Sequence, residues 1–465
     1  MRNIWLEMLR RHPSGDVVVT DARTLSRNDL VEEMTLWDRV LTANKVRAGD
    51  VVAIVGDFFP ATISLLFALL ERGCIVLPQI KRGAVTNTNF QAHQRRSVAI
   101  AQATTVVEFA SDTNWVINRT GYETNHAFFD ELRRRGHAGV VLFSSGSTGE
   151  SKGVVLDAEF LVEKFETSRA AAARTLTFLL FDHIGGLNTL LATVLTGGTV
   201  IVPPARDVET VCRTIEQQRV EVLPTAPTFL RVLLMADAAE RYDLSSLRLI
   251  TYGAEPMYDV TLRALNKRFP NIRLKQTYGL TELGIFSTSS RSNDSLWVKV
   301  GGTGVETKVV DNLLYVRSSS AMLGYLNAAQ PFDADGWYCT GDLVEVDGPY
   351  LRILGRQNEI INVGGEKLFP VEVENTIMEL ENVSDVTVSG KRNAVMGEVV
   401  IASVVLTDET EDPAHFSSRA RAFCLSRLPE YKVPMLFQIV DVLARSQRFK
   451  KVRRRASDVP PKAST

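Results

Sequence analysis

The chain has 465 residues, more than one hydrophobic core usually organises, so two or more domains are expected. Its 45% hydrophobic and 23% charged residues are typical of a water-soluble globular protein. The formal net charge of −1 excludes a general electrostatic attraction to nucleic acid or to an anionic membrane, and we expect neither partner.

Cysteine usage and hydropathy predict a cytoplasmic protein. The cysteines lie far apart and match neither zinc-site nor disulfide spacing, which fits a reducing compartment. No apolar run approaches the ~18 residues that a membrane-spanning helix needs, and residues 1–11 lack the apolar core of a signal peptide. We therefore expect no transmembrane segment.

The first part of the chain has a strand–helix–strand pattern. Residues 51–55 and 74–77 are near-continuous apolar runs, and residues 58–70 between them have the pattern of an apolar helix. Strands that are apolar at nearly every position are buried on both faces, which is typical of a parallel sheet covered by helices. The sequence therefore predicts an α/β fold here.

A polar loop then separates two apolar runs at residues 140–143 and 154–156. Its glycines let backbone N–H groups converge, its hydroxyls add donors and Lys152 adds positive charge, a combination that suits a polyphosphate. The P-loop NTPase pattern is excluded, because it needs a glycine where Ser151 stands. The alternative is an ordinary polar hairpin loop. The candidate ligands are Ser144, Ser145, Gly146, Ser147, Thr148, Gly149 and Lys152.

Further candidates follow predicted strands. Ligands of open parallel sheets bind beyond the carboxyl ends of the strands, where two glycine-containing turns lie. These turns contain Gly253, Ala254, Glu255, Tyr278, Gly279, Thr281 and Glu282. His183 also follows a strand, before a Gly-Gly pair that opens an apolar helix, and it is either a structural histidine or a pocket residue.

The pattern changes in the last third of the chain. Short strands with turns at residues 297–325 predict a small β subdomain. A helix opened by proline at residues 370–380 and a strand at residues 399–406 predict a small C-terminal α+β domain of about 110 residues.

Four motifs, and an irregular fifth in the C-terminal tail, follow the order of those of the adenylate-forming superfamily of acyl-CoA synthetases, peptide-synthetase adenylation domains and luciferases, and resemble them. The loop from residue 144 is similar to Ser/Thr-Ser/Thr-Gly-Ser/Thr-Thr-Gly-x-Pro-Lys-Gly, with Ser151 where proline is usual. Residues 276–282 resemble Gln-x-Tyr-Gly-x-Thr-Glu, and residues 337–342 match Trp-x-x-Thr-Gly-Asp. Residues 355–365 are similar to Gly-Arg-x-Asp-Asp-x-Ile-Lys-x-x-Gly, with Asn358 at the usually acidic hinge position.

The resemblance implies that ATP, Mg²⁺ and a carboxylic acid are bound. It places Tyr278 on adenine, Thr281 on the α-phosphate and Glu282 on Mg²⁺, which suits an aromatic face, a hydroxyl and a hard oxygen. His183 would border the acid's carboxylate. Gly364 and Gly365 would line a narrow ligand channel. The remaining implied nucleotide ligands are Gly253, Ala254, Glu255, Gly279, Asp342 and Arg356.

The superfamily's catalytic lysine has two candidates in the C-terminal tail. Counting forward from Arg445 selects Lys450, and counting back from Val452 selects Lys451. We favour Lys451, because Val452 then takes the apolar position that follows the lysine in the motif.

We therefore expect a large N-terminal α/β domain with a small β subdomain at residues 1–355, a hinge at 356–358 and a small mobile α+β domain at 359–465. The resemblance implies a ligase that forms an acyl-adenylate and pyrophosphate, then transfers the acyl group to coenzyme A. One alternative acceptor is the phosphopantetheine arm of a carrier protein. Another alternative, motivated by Ser151 and the irregular lysine motif, is a nucleotide-binding homologue without catalysis.

The acid itself is constrained only loosely. The apolar surroundings of His183 favour an uncharged acyl or aryl tail. Leu187 and Leu191, on the helix that follows, either line the acyl pocket or pack in the core.

Overall fold

The computed structural model describes residues 4–80, 88–145, 151–166, 172–236, 238–393, 396–408, 410–441 and 443; of residues 88–90, 145 and 239 it describes the backbone alone. Within these ranges no helix combines the length and hydropathy that crossing a bilayer requires. The helices are α1 (Ile4–Arg10), α2 (Arg27–Ala43), α3 (Pro60–Glu71), α4 (Thr88–Ile100), α5 (Ala127–Arg135), α6 (Ala158–Glu166), α7 (Ile184–Leu195), α8 (Val208–Gln218), α9 (Pro227–Met235), α10 (Ala238–Arg241), α11 (Asp259–Arg268), α12 (Pro370–Ile377) and α13 (Pro413–Leu425).

The strands follow one another between these helices and after α11. They are β1 (Asp16–Val19), β2 (Thr24–Ser26), β3 (Val51–Val55), β4 (Ile75–Gln79), β5 (Thr105–Phe109), β6 (Trp115–Arg119), β7 (Gly139–Ser145), β8 (Ser151–Asp157), β9 (Arg174–Leu176), β10 (Thr199–Ile201), β11 (Val222–Thr225), β12 (Leu249–Tyr252), β13 (Arg273–Gln276), β14 (Gly279–Leu280), β15 (Gly284–Ile285), β16 (Ser287–Ser290), β17 (Trp297–Gly301), β18 (Val305–Val310), β19 (Leu313–Ser318), β20 (Gly324–Tyr325), β21 (Tyr338–Asp347), β22 (Tyr350–Arg356), β23 (Ile361–Val363), β24 (Glu366–Leu368), β25 (Val383–Asn393), β26 (Gly397–Leu406) and β27 (Leu436–Ile439). Two 3₁₀ turns lie at Gln357–Glu359 and Glu430–Lys432.

Two large sheets form the N-terminal part. One has the order β20-β8-β7-β4-β3-β5-β6, with β7, β4, β3 and β5 parallel. Strands β3 and β4 are buried at every position, and the apolar helix α3 between them is buried along nearly its whole length. The predicted parallel sheet of apolar strands is therefore confirmed.

The second large sheet has the order β13-β12-β11-β9-β10-β1-β2 and is parallel except for β2 at its edge. Strands β12 and β13 pair with Tyr252 opposite Gln276, their last residues. The two turns that follow these strands therefore leave the sheet side by side, at its carboxyl edge.

Three smaller sheets complete the described structure, one of them the two-stranded pair β14-β15. The predicted β subdomain is an antiparallel sheet of order β16-β17-β22-β21-β19-β18. In the C-terminal part, β24-β23-β26-β25 and β27 form a sheet that packs with α12 and α13 around a core of its own. The α/β fold with a small β subdomain and an α+β C-terminal part is confirmed. The proposed hinge at residues 356–358 falls where β22 passes into the turn Gln357–Glu359.

Candidate active site

One cavity of about 1590 Å³ collects residues from the strand ends of both large sheets, the small β sheet and the C-terminal part. It brings together most of the predicted site residues that the structure describes. Those that line it are Ser144, Lys152, His183, Gly253, Ala254, Glu255, Tyr278, Gly279, Thr281, Glu282, Asp342 and Arg356.

The predicted phosphate loop is only partly described. Strands β7 and β8 are antiparallel neighbours, with Ser144 opposite Lys152. The Nζ atom of Lys152 lies 4.9 Å from the ring centre of Tyr325. Binding of a polyphosphate stays a prediction. The loop residues outside the described ranges are Gly146, Ser147, Thr148 and Gly149, and the side chain of Ser145 is not described.

The turn after β12 is held in a conformation that only small residues allow. A Cβ atom on Gly253 would lie 2.3 Å from the Thr277 hydroxyl, so this position requires glycine. Ala254 has a φ of +69°, which is rare for a residue other than glycine. The Glu255 carboxylate accepts hydrogen bonds from the Thr228 N–H and hydroxyl at 3.2 and 2.7 Å. These bonds fix the turn against the first residues of α9.

Tyr278 and Asp342 form a buried polar pair, which the more exposed Arg356 joins from the end of β22. The Tyr278 hydroxyl donates to Asp342 Oδ2 at 2.6 Å. The ladder between β21 and β22 sets Asp342 opposite Arg356, whose Nε lies 3.3 Å from Asp342 Oδ1. Burial and the charge of Asp342 raise the pKa of Tyr278 well above its usual range, so its hydroxyl stays a donor. The carboxylate is thereby oriented at the cavity wall.

Glu282 is buried beside two tyrosines that the sequence did not predict as site residues. The Tyr325 hydroxyl donates to Glu282 Oε1 at 2.9 Å, and the hydroxyls of Tyr325 and Tyr338 are 3.4 Å apart. Burial, and next the charge of Glu282, raise the pKa of Tyr338 to about 12, and the pKa of Tyr325 is also raised. Tyr338 lies at a variable position of the motif at 337–342 and Tyr325 in none of the five motifs, so local pattern gave no signal for either.

The carboxylate of Glu282 suits a divalent cation bound together with a polyphosphate. Its Oε2 atom carries no hydrogen bond from any described residue, while Oε1 is fixed by Tyr325. The described residues contain no group of three or more His, Cys, Asp or Glu side chains that would hold a metal ion by themselves. A hard oxygen on one carboxylate, completed by phosphate oxygens and water, is how Mg²⁺ is commonly held at phosphate sites.

His183 occupies the N-cap position of α7. Its Nδ1 accepts a hydrogen bond from the Gly185 N–H at 3.1 Å, so the proton of a neutral ring lies on Nε2. A Cβ atom on Gly186 would lie 2.0 Å from the Leu180 carbonyl oxygen, and this contact explains the second glycine of the pair. His183 therefore has a structural role as a cap and also lines the cavity.

The cavity face of α7 is polar. Leu187 and Leu191 are 1% and 2% exposed and belong to the hydrophobic core, so of the two alternatives for these leucines the structure shows core packing. Asn188, Thr189 and Ala192 line the cavity instead. The core residues follow the i, i+4 spacing of one helix face, and the polar residues occupy the opposite face.

Lys164 lines the same cavity and was missed. It lies on α6, three residues after the buried Leu161, and so on the inward face of that helix. The sequence signal that could have identified Lys164 is a lysine at a position on the apolar face of a helix.

Among the described residues that were predicted for the site, Gly364 and Gly365 do not line the cavity. Gly364 and Gly365 form the exposed turn between β23 and β24, with φ angles of +60° and +96° that require glycine-like freedom. Asn358, at the proposed hinge, does line the cavity. The catalytic candidates Lys450 and Lys451 lie outside the described residues. The roles of all these residues stay predictions.

Comparison with known proteins is consistent across the chain. A family model described as AMP-binding enzyme matches residues 6–326, and one described as AMP-binding enzyme C-terminal domain matches residues 372–450. The chain is 28% identical to an indoleacetate–CoA ligase of Aromatoleum aromaticum, over 95% of each chain. It is 26% identical to a 2-succinylbenzoate–CoA ligase of Listeria monocytogenes, over 95% of this chain and 96% of the relative. The crystal structure of the anthranilate CoA ligase AuaEII in complex with anthranoyl-AMP shares the fold, with a TM-score of 0.80 over 96% of this chain and 95% of that one, at 19% identity.

Proposed function

The chain belongs to the family of AMP-binding enzymes, and on that premise we propose that it is an AMP-forming acid:CoA ligase. The observation that carries the proposal is the cavity, where the ends of β7, β12 and β13 meet the pair Asp342–Arg356. Relatives that match nearly the whole chain are CoA ligases for aromatic acids.

The first half-reaction joins the acid to AMP. A carboxylate oxygen of the acid attacks the α-phosphorus of ATP, the bond to the β-phosphate oxygen breaks, and pyrophosphate leaves. Because no covalent enzyme intermediate is needed, positioning and charge neutralisation supply the catalysis. Tyr278 offers its ring to adenine and Asp342 its carboxylate to the ribose hydroxyls. Lys152, beside the loop, offers its charge to the phosphates.

Glu282 would hold Mg²⁺, which neutralises phosphate charge when it is bound. Thr281 lies in the turn between β14 and β15, three residues after Tyr278, and would donate its hydroxyl to the α-phosphate. His183 borders the acid, with its Nε2 proton directed by the bond that Gly185 makes to Nδ1.

The second half-reaction transfers the acyl group. The thiol of coenzyme A attacks the acyl carbon, the bond to the AMP oxygen breaks, and AMP leaves with that oxygen. In this proposal, rotation of the C-terminal part about Asn358 brings Gly364 and Gly365 to a channel for the thiol.

The experiment uses the purified full-length chain with ATP and Mg²⁺. Pyrophosphate release is measured over a panel of fatty, aromatic and amino acids, with coenzyme A, a carrier protein bearing phosphopantetheine, or no thiol. Acid-dependent release followed by thioester formation on coenzyme A supports the proposal. If a thioester forms only on the carrier protein, the carrier protein and not coenzyme A is the acceptor. If no acid causes release of pyrophosphate, the non-catalytic alternative is favoured.

A further inference from the structure

Lys164 is a partly buried cation in the wall of the cavity. Its Nζ donates to the Asn188 side-chain oxygen on α7 and to the Ile285 carbonyl oxygen on β15, each at 2.7 Å. The side chain also lies over the Phe165 ring, with Nζ 5.0 Å from the ring centre. These contacts hold the ammonium group at one place beside the space that the acid would fill.

The charge of Lys164 has no counter-charge in the described structure. Both hydrogen-bond acceptors are neutral, and no carboxylate of the described ranges lies within ion-pair distance. Burial lowers the pKa of Lys164 to about 8. An ammonium group has three N–H donors, so one remains for a ligand. A partly buried cation with a spare donor is stabilised by any anion that enters the cavity next to it.

The position of Lys164 can be related to the reacting end of the acid through α7. Asn188, its partner, lies five residues after His183, which caps the same helix. At 1.5 Å per residue, the two positions are about 7–8 Å apart along the helix axis. An acid whose carboxylate lies at His183 and whose tail runs along α7 would bring that tail to Lys164.

We propose that Lys164 binds a second anionic group on the acid, so that the substrate class is acids with a further carboxylate about 7–8 Å from the reacting one. This inference rests on the proposed function and deepens it. It departs from the uncharged tail that the apolar residues around His183 favoured, because Asn188 and Lys164 make the cavity wall beside α7 polar.

The test compares linear dicarboxylic acids with monocarboxylic acids of equal length. The variant Lys164→Met removes the charge at similar volume, and Lys164→Arg retains it. Lys267→Met, on the exposed face of α11 and outside the cavity lining, is the matched control. We expect the ratio of kcat/KM for dicarboxylic over monocarboxylic acids to fall at least about 30-fold in Lys164→Met. Lys164→Arg should keep most of the ratio, and Lys267→Met should leave it unchanged.

Two outcomes would overturn the inference. Equal losses for both kinds of acid in Lys164→Met would mean that the lysine only ties α6 to α7 and β15. An unchanged ratio would mean that its charge does not contact the acid.

A binding measurement separates this inference from the proposed function. The shift in Tm that each acid causes is recorded without ATP, and it needs no turnover. If dicarboxylic acids raise the Tm of the wild type and not that of Lys164→Met, the inference of an anion site at Lys164 is supported even where no acid is activated. If acids are activated but the Tm shift they cause is the same in the wild type and in Lys164→Met, the proposed function is supported and the anion site is excluded.

Discussion

Arg231 and Asp385 form an ion pair with Nη2 and Oδ1 3.0 Å apart, and only 6% and 5% of their side-chain surface is exposed. Arg231 belongs to α9 of the N-terminal part, and Asp385 belongs to β25 of the C-terminal sheet. The guanidinium also lies 5.1 Å from the ring centre of Tyr258, whose hydroxyl donates to Glu374 of α12 at 2.9 Å. Two buried polar contacts thus join the parts of the chain on either side of the proposed hinge.

The ion pair also reaches the cavity. Arg231 Nη2 donates to the Thr228 hydroxyl at 3.2 Å, and that hydroxyl donates to the Glu255 carboxylate at 2.7 Å. A continuous line of polar contacts therefore runs from the cavity turn to the C-terminal sheet. Any rotation of the C-terminal part must break the link between Arg231 and Asp385.

Arg231→Met should release the C-terminal part. It leaves Asp385 buried without its cation, which costs about 3–5 kcal/mol as long as the two parts stay docked. We expect faster proteolysis near residues 356–358 and a larger radius of gyration by X-ray scattering. The matched control is Arg263→Met, because Arg263 pairs with Glu379 across the same junction at 3.7 Å but is exposed, so its loss costs little.

The double variant Arg231→Met/Asp385→Leu removes both charges and should recover much of the compactness. Equal behaviour of Arg231→Met and Arg263→Met would show that the buried pair does not hold the two parts together.

Glu282→Gln should abolish most adenylation while the fold persists. The amide keeps the shape and can still accept from Tyr325, but it is a weaker ligand for a hard cation. We expect acid-dependent pyrophosphate release to fall at least about 100-fold, and the Mg²⁺ concentration for half-maximal rate to rise. Glu306→Gln, at an exposed pair with Arg317, is the control. A wild-type rate in Glu282→Gln would remove this residue from the metal site.

The preference for dicarboxylic acids should be lost as the pH rises through about 8. Lys164 is protonated below its lowered pKa and attracts an anionic tail, whereas above it the amine is neutral. Both carboxylates stay ionised throughout, so the ratio of kcat/KM for dicarboxylic over monocarboxylic acids reports Lys164. A ratio that is flat from pH 7 to 10 in the wild type would contradict a charged Lys164.

The expected pH dependence is assigned to Lys164 from the cause of its pKa shift and from the titratable groups around it. Burial alone causes the shift of its pKa. The titratable groups on α6 itself are Glu159, Glu163 and Glu166, and those on β8 and at the N-cap of α7 are Lys152, Asp157 and His183. Glu282 lies in the turn before β15, whose Ile285 contacts Lys164. Lys164→Arg should move the fall in the ratio beyond the measured range, because arginine stays charged.

One of the two tail lysines should be essential for adenylate formation. Neighbouring residues on an extended segment point to opposite sides, so one lysine at most reaches the α-phosphate and the carboxylate together. We expect Lys451→Ala to lose at least about 100-fold in pyrophosphate release and still convert a supplied acyl-adenylate to the thioester. Lys450→Ala is its matched control and should keep adenylation. Normal adenylation in both variants would mean that another residue has this role.

Much of the site could be predicted because its residues follow strands. Tyr278 and Glu282 lie just beyond β13. The carboxyl ends of parallel strands lie at the same edge of a sheet, independently of the conformation of the loops. Local pattern also identified the two apolar runs that form β7 and β8, whereas the register that sets Ser144 opposite Lys152 was not predicted.

The parts that could not be predicted depend on contacts between distant residues. Helix α7 is apolar on most sides, so its sequence did not show which face meets the cavity, and Leu187 was considered where Asn188 lies. The contact of Lys164 with Ile285 and the ion pair of Arg231 with Asp385 join segments more than 100 residues apart. Hydrophobic periodicity predicts on which face of a helix or strand a residue lies. It does not predict which distant segment packs against that face.

Transfer of an oxygen isotope from the acid to AMP tests the central claim most directly. The full-length chain is given ATP, Mg²⁺, coenzyme A and an active acid labelled with ¹⁸O in the carboxylate, and the products are examined by mass spectrometry. Attack of the carboxylate on the α-phosphorus predicts a single labelled oxygen in AMP and none in pyrophosphate, with thioester formed in equal amount. Label in inorganic phosphate, together with ADP, would show attack on the γ-phosphorus and would contradict an acyl-adenylate.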